Sequence, residues 1–209
     1  MKFHWDIIQG SDEWLALRAG KITASKAAPL LINGRSESGL GAGAITELYK
    51  ALEERLTGIP RASFGGSSAT DWGHENEPLA IELYEHMMFV DVASVGFVEL
   101  NEYIGASPDG LILELERGLE IKSRPAEHMK IVMTEKYLKN DYTQCQFNMW
   151  CTGYKEWDLV YFHPNLPENV KIKIFNLKAD EKMFAKFKEK TDIFIKLLNE
   201  NFEKAAGIK

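Results

Sequence analysis

Residues 104–123 read I-G-A-S-P-D-G-L-I-L-E-L-E-R-G-L-E-I-K-S, a pattern of two short strands joined by a turn. Asp109 falls near the first strand, and Glu120 and Lys122 fall on the second. Leu119 and Ile121 alternate with Glu120 and Lys122, the period of a half-buried strand. Successive strand side chains point to opposite faces, so Glu120 and Lys122 share one face while Leu119 and Ile121 take the other. If the strands pair, Asp109 comes close to Glu120, and two carboxylates converge beside one ammonium. Such a place suits Mg²⁺, which favours hard oxygens in near-octahedral geometry and takes only one or two protein carboxylates alongside water. The Ile121 carbonyl is available as a further oxygen.

Each piece also has a plainer reading. Ser-Pro-Asp-Gly is good turn chemistry: Pro sets φ, Asp bonds its own backbone, and Gly tolerates a left-handed conformation. Glu-x-Lys is equally an ordinary solvent-facing strand pattern. The combination, with the lysine two residues after the glutamate, favours a functional centre.

The 209 residues suit one domain across 1–209, large enough to bury roughly 70% of the unfolded surface. No apolar run approaches the ~20 residues of a membrane span, and the start, Met1-Lys2-Phe3-His4-Trp5-Asp6, lacks the apolar core of a secretory signal. Cys145 and Cys151 are too few for a disulfide framework and lack zinc-site spacing. A cytoplasmic protein is expected. The formal net charge of -6 argues mildly against a nucleic-acid partner, although a basic patch can be local on an acidic chain.

Before this stretch, Ser11 is placed to cap a short helix carrying Trp14, Leu15 and Leu17. Gly20 ends it, and Thr23 or Ser25 is placed to cap another. Arg18, Lys21, Ser25 and Lys26 supply phosphate-type donors, or simply a basic capped turn. Residues 33–43 are rich in Gly and Ser and read as a mobile loop. No Gly-Lys-Ser/Thr follows, so no nucleotide cofactor is expected. A helix over 44–57 with Leu48, Leu52 and Leu56 on one face precedes a polar loop through Ser68. Another helix opens at Trp72-Gly-His-Glu-Asn-Glu-Pro78, a few residues before Pro78, with Glu75 and Glu77 as acids at its start and His74 and His86 on the surface.

After it come a helix near 126–137 and another over 142–151, with Gln144 and Asn148 one turn apart and Phe147 and Trp150 in the core. Strands over 157–163 and 170–177 bend at Pro164–Pro167. A long amphipathic helix over 180–204 carries Phe184, Phe187, Phe194, Leu198 and Phe202 on one stripe.

Taken together, Pro108-Asp109, Glu120-Ile121-Lys122, Trp14-x-x-x-Arg18, Trp72-Gly73-x-x-x-Glu77-Pro78 and Gln144-x-Gln146 resemble the bacteriophage lambda exonuclease-like, or YqaJ-type, family of the PD-(D/E)-x-K nuclease superfamily. The resemblance runs from about Trp14 to His163. It implies an α/β fold with a central mixed sheet flanked by helices. It also implies a Mg²⁺-dependent 5′→3′ exonuclease, with Mn²⁺ a possible substitute, that works on double-stranded DNA ends and leaves 3′ single strands for recombination. On the resemblance, Glu77, Asp109, Glu120 and the Ile121 carbonyl hold the metal. Lys122 and Gln144 line the catalytic centre, Gln146 is structural, and Arg18 and Ser25 bind the terminal 5′-phosphate. A homotrimer, a single-strand annealing protein as partner, and a phage or prophage origin in a bacterial host are likewise implied. One departure is that Ser67 to Thr70 lacks a lysine that some relatives carry before the Trp-Gly pair. An endonuclease of the same superfamily, or a DNA-end module with a decayed site, is the alternative.

Overall fold

The fold is laid out along one strand, Arg117–Lys122, which pairs on both sides. The computed structural model describes residues 1–35, 37–61 and 68–207. In the helix beginning at Ser68, the side chains of residues 68–71 and 74 lie outside this description. In chain order the elements are β1 (Lys2–His4), α1 (Asp12–Arg18), β2 (Ile22–Thr23), α2 (Ala42–Thr57), α3 (Ser68–Met88), β3 (Phe97–Asn101), β4 (Ile104–Ala106) and β5 (Gly110–Ile112). They continue with β6 (Arg117–Lys122), α4 (His128–Thr134), α5 (Lys139–Thr152), β7 (Glu156–Phe162), α6 (Glu168–Lys171), β8 (Ile172–Lys178) and α7 (Glu181–Ala206).

The fold class is the expected mixed α/β. The sheet comes in two four-stranded pieces, ordered β1-β3-β4-β2 and β5-β6-β7-β8, each with parallel and antiparallel pairs. Only Ser107, Pro108 and Asp109 separate β4 in one sheet from β5 in the other.

Strand β7 is buried from Trp157 to Phe162, so its sequence lacks polar alternation except at Asp158. Asp158 is satisfied by Tyr84 at 2.5 Å, Asn176 at 2.8 Å and Arg117 at 3.3 Å. One face of the second sheet presents Trp157, Leu159 and Tyr161 to the core that contains Phe147 of α5 and Phe184, Phe187, Phe194 and Leu198 of α7. Phe202 packs partly buried against the same core, so the aromatic stripe of α7 is structural. The other face presents Ile112, Leu119, Ile121, Val160 and Phe162 to Ala80 and Tyr84 of α3. Leu119 and Ile121 therefore do share the face opposite Glu120 and Lys122.

Several local expectations change. Leu48 and Leu52 are buried, but Leu56 is 43% exposed, because only the first two meet the α7 side of the core. The helix expected after Gly20 is a brief strand followed by a 3-10 turn, Ala24–Lys26, and the Thr23 side chain does not cap it. The Gly/Ser-rich run is folded back by a bridge from Asn33 to Leu40. Helix α3 begins at Ser68, so Pro78 lies in its interior rather than its first turn. Strand β8 begins at Ile172 because Val170 belongs to the short helix α6. The expected polar loop through Ser68, the missing lysine of Ser67 to Thr70 and the surface position of His74 fall outside the described residues.

Candidate active site

Antiparallel pairing sets Gly110 against Leu119, and one further step of that register puts Asp109 opposite Glu120. The link is sealed by the Ile121 N–H, which donates to Asp109 Oδ2 at 2.6 Å. The N–H and C=O of one strand residue point to the same side, so the Ile121 carbonyl also faces the Asp109 edge. Glu120 is fully buried. Its Oε1 accepts from Lys122 Nζ at 2.6 Å and from Gln144 Nε2 at 2.6 Å, and its Oε2 accepts from Asn148 Nδ2 at 2.8 Å. Gln144 and Asn148 reach the same carboxylate because residues four apart share a helix face. Gln146 points away, donating to the Lys178 carbonyl and accepting from Asp180 N–H, a structural bond between α5 and the start of α7.

The same cavity, of about 690 Å³, is lined by Glu77 of α3, by Asp109, Glu120, Ile121, Lys122 and Gln144, and by Arg18 and Ser25. Glu75 is exposed. The structure thus brings all eight expected residues to one space.

Arg18 is held before any ligand arrives. Its guanidinium carbon lies 4.1 Å above the Trp14 ring, Nη1 donates to Ser107 Oγ at 2.7 Å and Nη2 approaches Thr23 Oγ1 at 3.4 Å. No carboxylate among the described residues forms an ion pair with it. Ser107 Oγ also accepts from Trp14 Nε1 at 3.0 Å, which leaves the Ser107 hydroxyl hydrogen to donate elsewhere. The turn is pinned from behind by buried Glu54, which accepts from Gly20 N–H at 2.7 Å and Arg61 N–H at 2.9 Å.

Electrostatics follow from burial and crowding. Burial, then Glu77, pushes Asp109 up to about 7, opposed by Lys122 and the Ile121 N–H. Burial, then Asp109, pushes Glu120 up to about 7 against the pull of Lys122 and Asn148. Glu77 is also raised, by burial and then by Glu120. Burial pulls Lys122 down, but Glu120 and Asp109 outweigh it and hold the ammonium above its ordinary value. Burial lowers Arg18 to about 10, still charged at neutral pH.

Among the described residues, no three His, Cys, Asp or Glu side chains are gathered tightly enough to grip a metal ion as they stand. The donor set nonetheless fits a hard cation. Mg²⁺ needs only one or two carboxylates, Asp109 Oδ1 has no donor among the described residues, and a cation would offset the burial and mutual repulsion that raise all three acids.

Three contacts go beyond the sequence reading: Trp14, expected only as part of the Trp14-x-x-x-Arg18 motif, stacks on the arginine, Ser107, expected only in the Ser-Pro-Asp-Gly turn, binds it, and Asn148, expected only one turn from Gln144, binds Glu120. A polar residue four after Gln144 on a buried helix face was the available signal for Asn148; nothing local marked Ser107.

A carboxylate–lysine centre on an inner strand of a mixed sheet, open to a cavity that also holds a half-buried arginine, is the arrangement expected of a nuclease. Residues 13–155 match the model of the YqaJ-like viral recombinase domain, and the chain belongs to that family. Its class is therefore a nuclease acting in recombination. LHK-Exo, an alkaline exonuclease from Laribacter hongkongensis, superposes with a TM-score of 0.82 at 27% identity, over 95% of this chain and 100% of that one. Its complex with dAMP gives a TM-score of 0.84 at the same identity and coverage. A phage-related exonuclease from Haemophilus somnus 129PT shares the fold, with a TM-score of 0.73 at 18% identity over 88% of this chain and 96% of that one. Comparison with curated proteins gives no match.

Proposed function

We propose that the protein is a Mg²⁺-dependent exonuclease that digests one strand of duplex DNA from its 5′ end and leaves 3′ single-stranded overhangs for recombination. The observation that carries this reading is the single cavity shared by Arg18 and Ser25 with Glu77, Asp109, Glu120 and Lys122. A terminal phosphate has more charge and one more free oxygen than an internal one, and a guanidinium fork suits it. The match to an alkaline exonuclease seen with dAMP supports the reading, since a mononucleotide is what such digestion releases.

In this reading Glu77, Asp109, Glu120 and the Ile121 carbonyl hold Mg²⁺, or Mn²⁺ in its place. The ion supplies charge neutralisation at the phosphate and a lowered water pKa. Ile121 N–H fixes the Asp109 carboxylate, and Gln144 and Asn148 fix Glu120. The Lys122 ammonium, bound to Glu120 Oε1, orients the attacking water and offsets charge developing on the phosphate. Arg18, stacked on Trp14 and tied to Ser107, receives the terminal phosphate with little reorganisation.

Homotrimeric assembly, a single-strand annealing protein as partner, and a cytoplasmic site of action in a bacterial host are proposed on the family resemblance. No helix among the described residues is long and apolar enough to cross a membrane.

The test compares linear duplex with covalently closed circular duplex, with and without Mg²⁺. Degradation of the linear form alone, and only with metal, is expected. Cleavage of the closed circle would transfer the site to an endonuclease.

A further inference from the structure

A second cavity, of about 300 Å³, opens on Glu77, Asp109 and Gln9, three residues that also line the main cavity. These side chains form a septum between two lobes. The lobes differ in chemistry. The main one carries Arg18, Lys122 and Arg124, whereas no lysine or arginine lines the second among the described residues. Its open side is apolar, with Trp5 45% exposed and Ile8 77% exposed. Trp5 directly follows β1, and one side of its ring stacks on Phe3 with centroids 5.5 Å apart and planes 10° apart. Gln9 is fixed through its amide nitrogen, which donates to the carbonyls of Val95 at 2.9 Å and Pro108 at 2.8 Å, so its side-chain oxygen remains an acceptor.

We infer that the second cavity seats the nucleobase of the nucleotide being processed, with Trp5 as its stacking face. The inference rests on the nuclease reading above and deepens it. With no lysine or arginine of its own among the described residues, this lobe offers a phosphate no charge partner, whereas a neutral aromatic ring needs none. A nucleotide carries its phosphate and its base on opposite sides of the sugar, which suits two lobes divided by a narrow wall. Stacking is tolerant of sequence because every base has a π-face, and an enzyme that digests a whole strand requires that tolerance. The volume sits at the low end of the roughly 300–1,000 Å³ of small-molecule sites, which fits one base rather than a longer segment.

The test uses the full-length protein and its Trp5→Ala and Trp5→Phe variants. Duplexes carrying a 5′-terminal nucleotide or an abasic residue at that position are digested with Mg²⁺. The metal-free protein is titrated with dAMP and with 2-deoxyribose 5-phosphate. Wild type should favour the base-bearing partner about tenfold in both experiments, within what one base–aromatic stack is worth. Trp5→Ala should lose the preference and Trp5→Phe should retain most of it. Equal handling of base-bearing and abasic partners by an active wild type would overturn the base seat and leave the nuclease reading standing. A Trp5→Ala variant that keeps the preference but changes the mass of the assembly would also overturn it, by making the face a subunit contact. Absence of cleavage on every DNA end would instead sink the nuclease reading itself.

Discussion

Asn148 donates to Glu120 Oε2 at 2.8 Å with both residues fully buried, so the carboxylate is held from beneath by a neutral amide rather than by a second cation. That choice leaves Glu120 short of positive charge and free to attract a metal. Removal of partners behind a metal-holding carboxylate typically costs about 10–100-fold in metal affinity or activity. Asn148→Ala and Gln144→Ala should each fall in that range, read as a higher Mg²⁺ requirement for cleavage. An unchanged metal titration in both variants would remove these amides from the site.

Asp109→Ala and Glu120→Ala should each abolish cleavage while the fold survives, since Leu119 and Ile121 pack on the opposite face. Activity and circular dichroism on the purified variants decide it. Retention of most Mg²⁺-dependent activity by either one would refute the assignment.

Stability without metal should depend on pH in an unusual direction. Asp109 and Glu120 are raised from ordinary values of 3.8 and 4.5 to about 7 in the folded protein. The folded state then binds more protons than the unfolded state between those limits, so stability falls as pH rises from about 4 to about 7. Thermal melts in EDTA should show this decline, and Asp109→Asn should flatten it. Mg²⁺ should offset the loss, and cleavage should rise with pH through 7 as the acids become available to metal. A metal-free melting point that climbs steadily over this window would contradict the picture.

Lys122→Ala should inactivate the enzyme with metal binding retained, because an ammonium is not a ligand and its removal lessens repulsion of a cation. Calorimetry showing metal binding lost as severely as in Glu120→Ala would count against the role given to Lys122.

Arg18→Ala separates exonuclease from endonuclease. Wild type should digest 5′-phosphorylated ends much faster than 5′-hydroxyl ends. The variant should lose most of that preference and become less processive, with Mg²⁺ binding unchanged. Equal wild-type rates on both ends would take Arg18 and Ser25 out of the mechanism.

Much of this was legible in the sequence because it is periodic. Alternation in 119–122 put Glu120 and Lys122 on one face, and the aromatic stripe of 184–202 announced a core helix. The misses were non-local. Pro78 suggested a helix start nearby, but residues ten positions earlier are already helical, and packing of Ala80 and Tyr84 on the sheet helps hold what a proline alone would weaken. Leu56 kept the helical spacing of Leu48 and Leu52 yet found no partner surface. Ser107 became part of the arginine's setting only when the chain brought residue 107 back beside residue 18, a closure that no local pattern encodes.

Ser107 touches Arg18, and Asp109 lies two residues further along the same short link between the sheets. Two residues of chain span at most about 7 Å. For an exonuclease of the proposed kind, the grip on the strand's end is thus tied to the blade through one hydrogen bond and a two-residue link rather than through a hinge. In that reading the reach from grip to blade is written into a two-residue stretch of backbone, so an insertion between residues 107 and 109 should lengthen it.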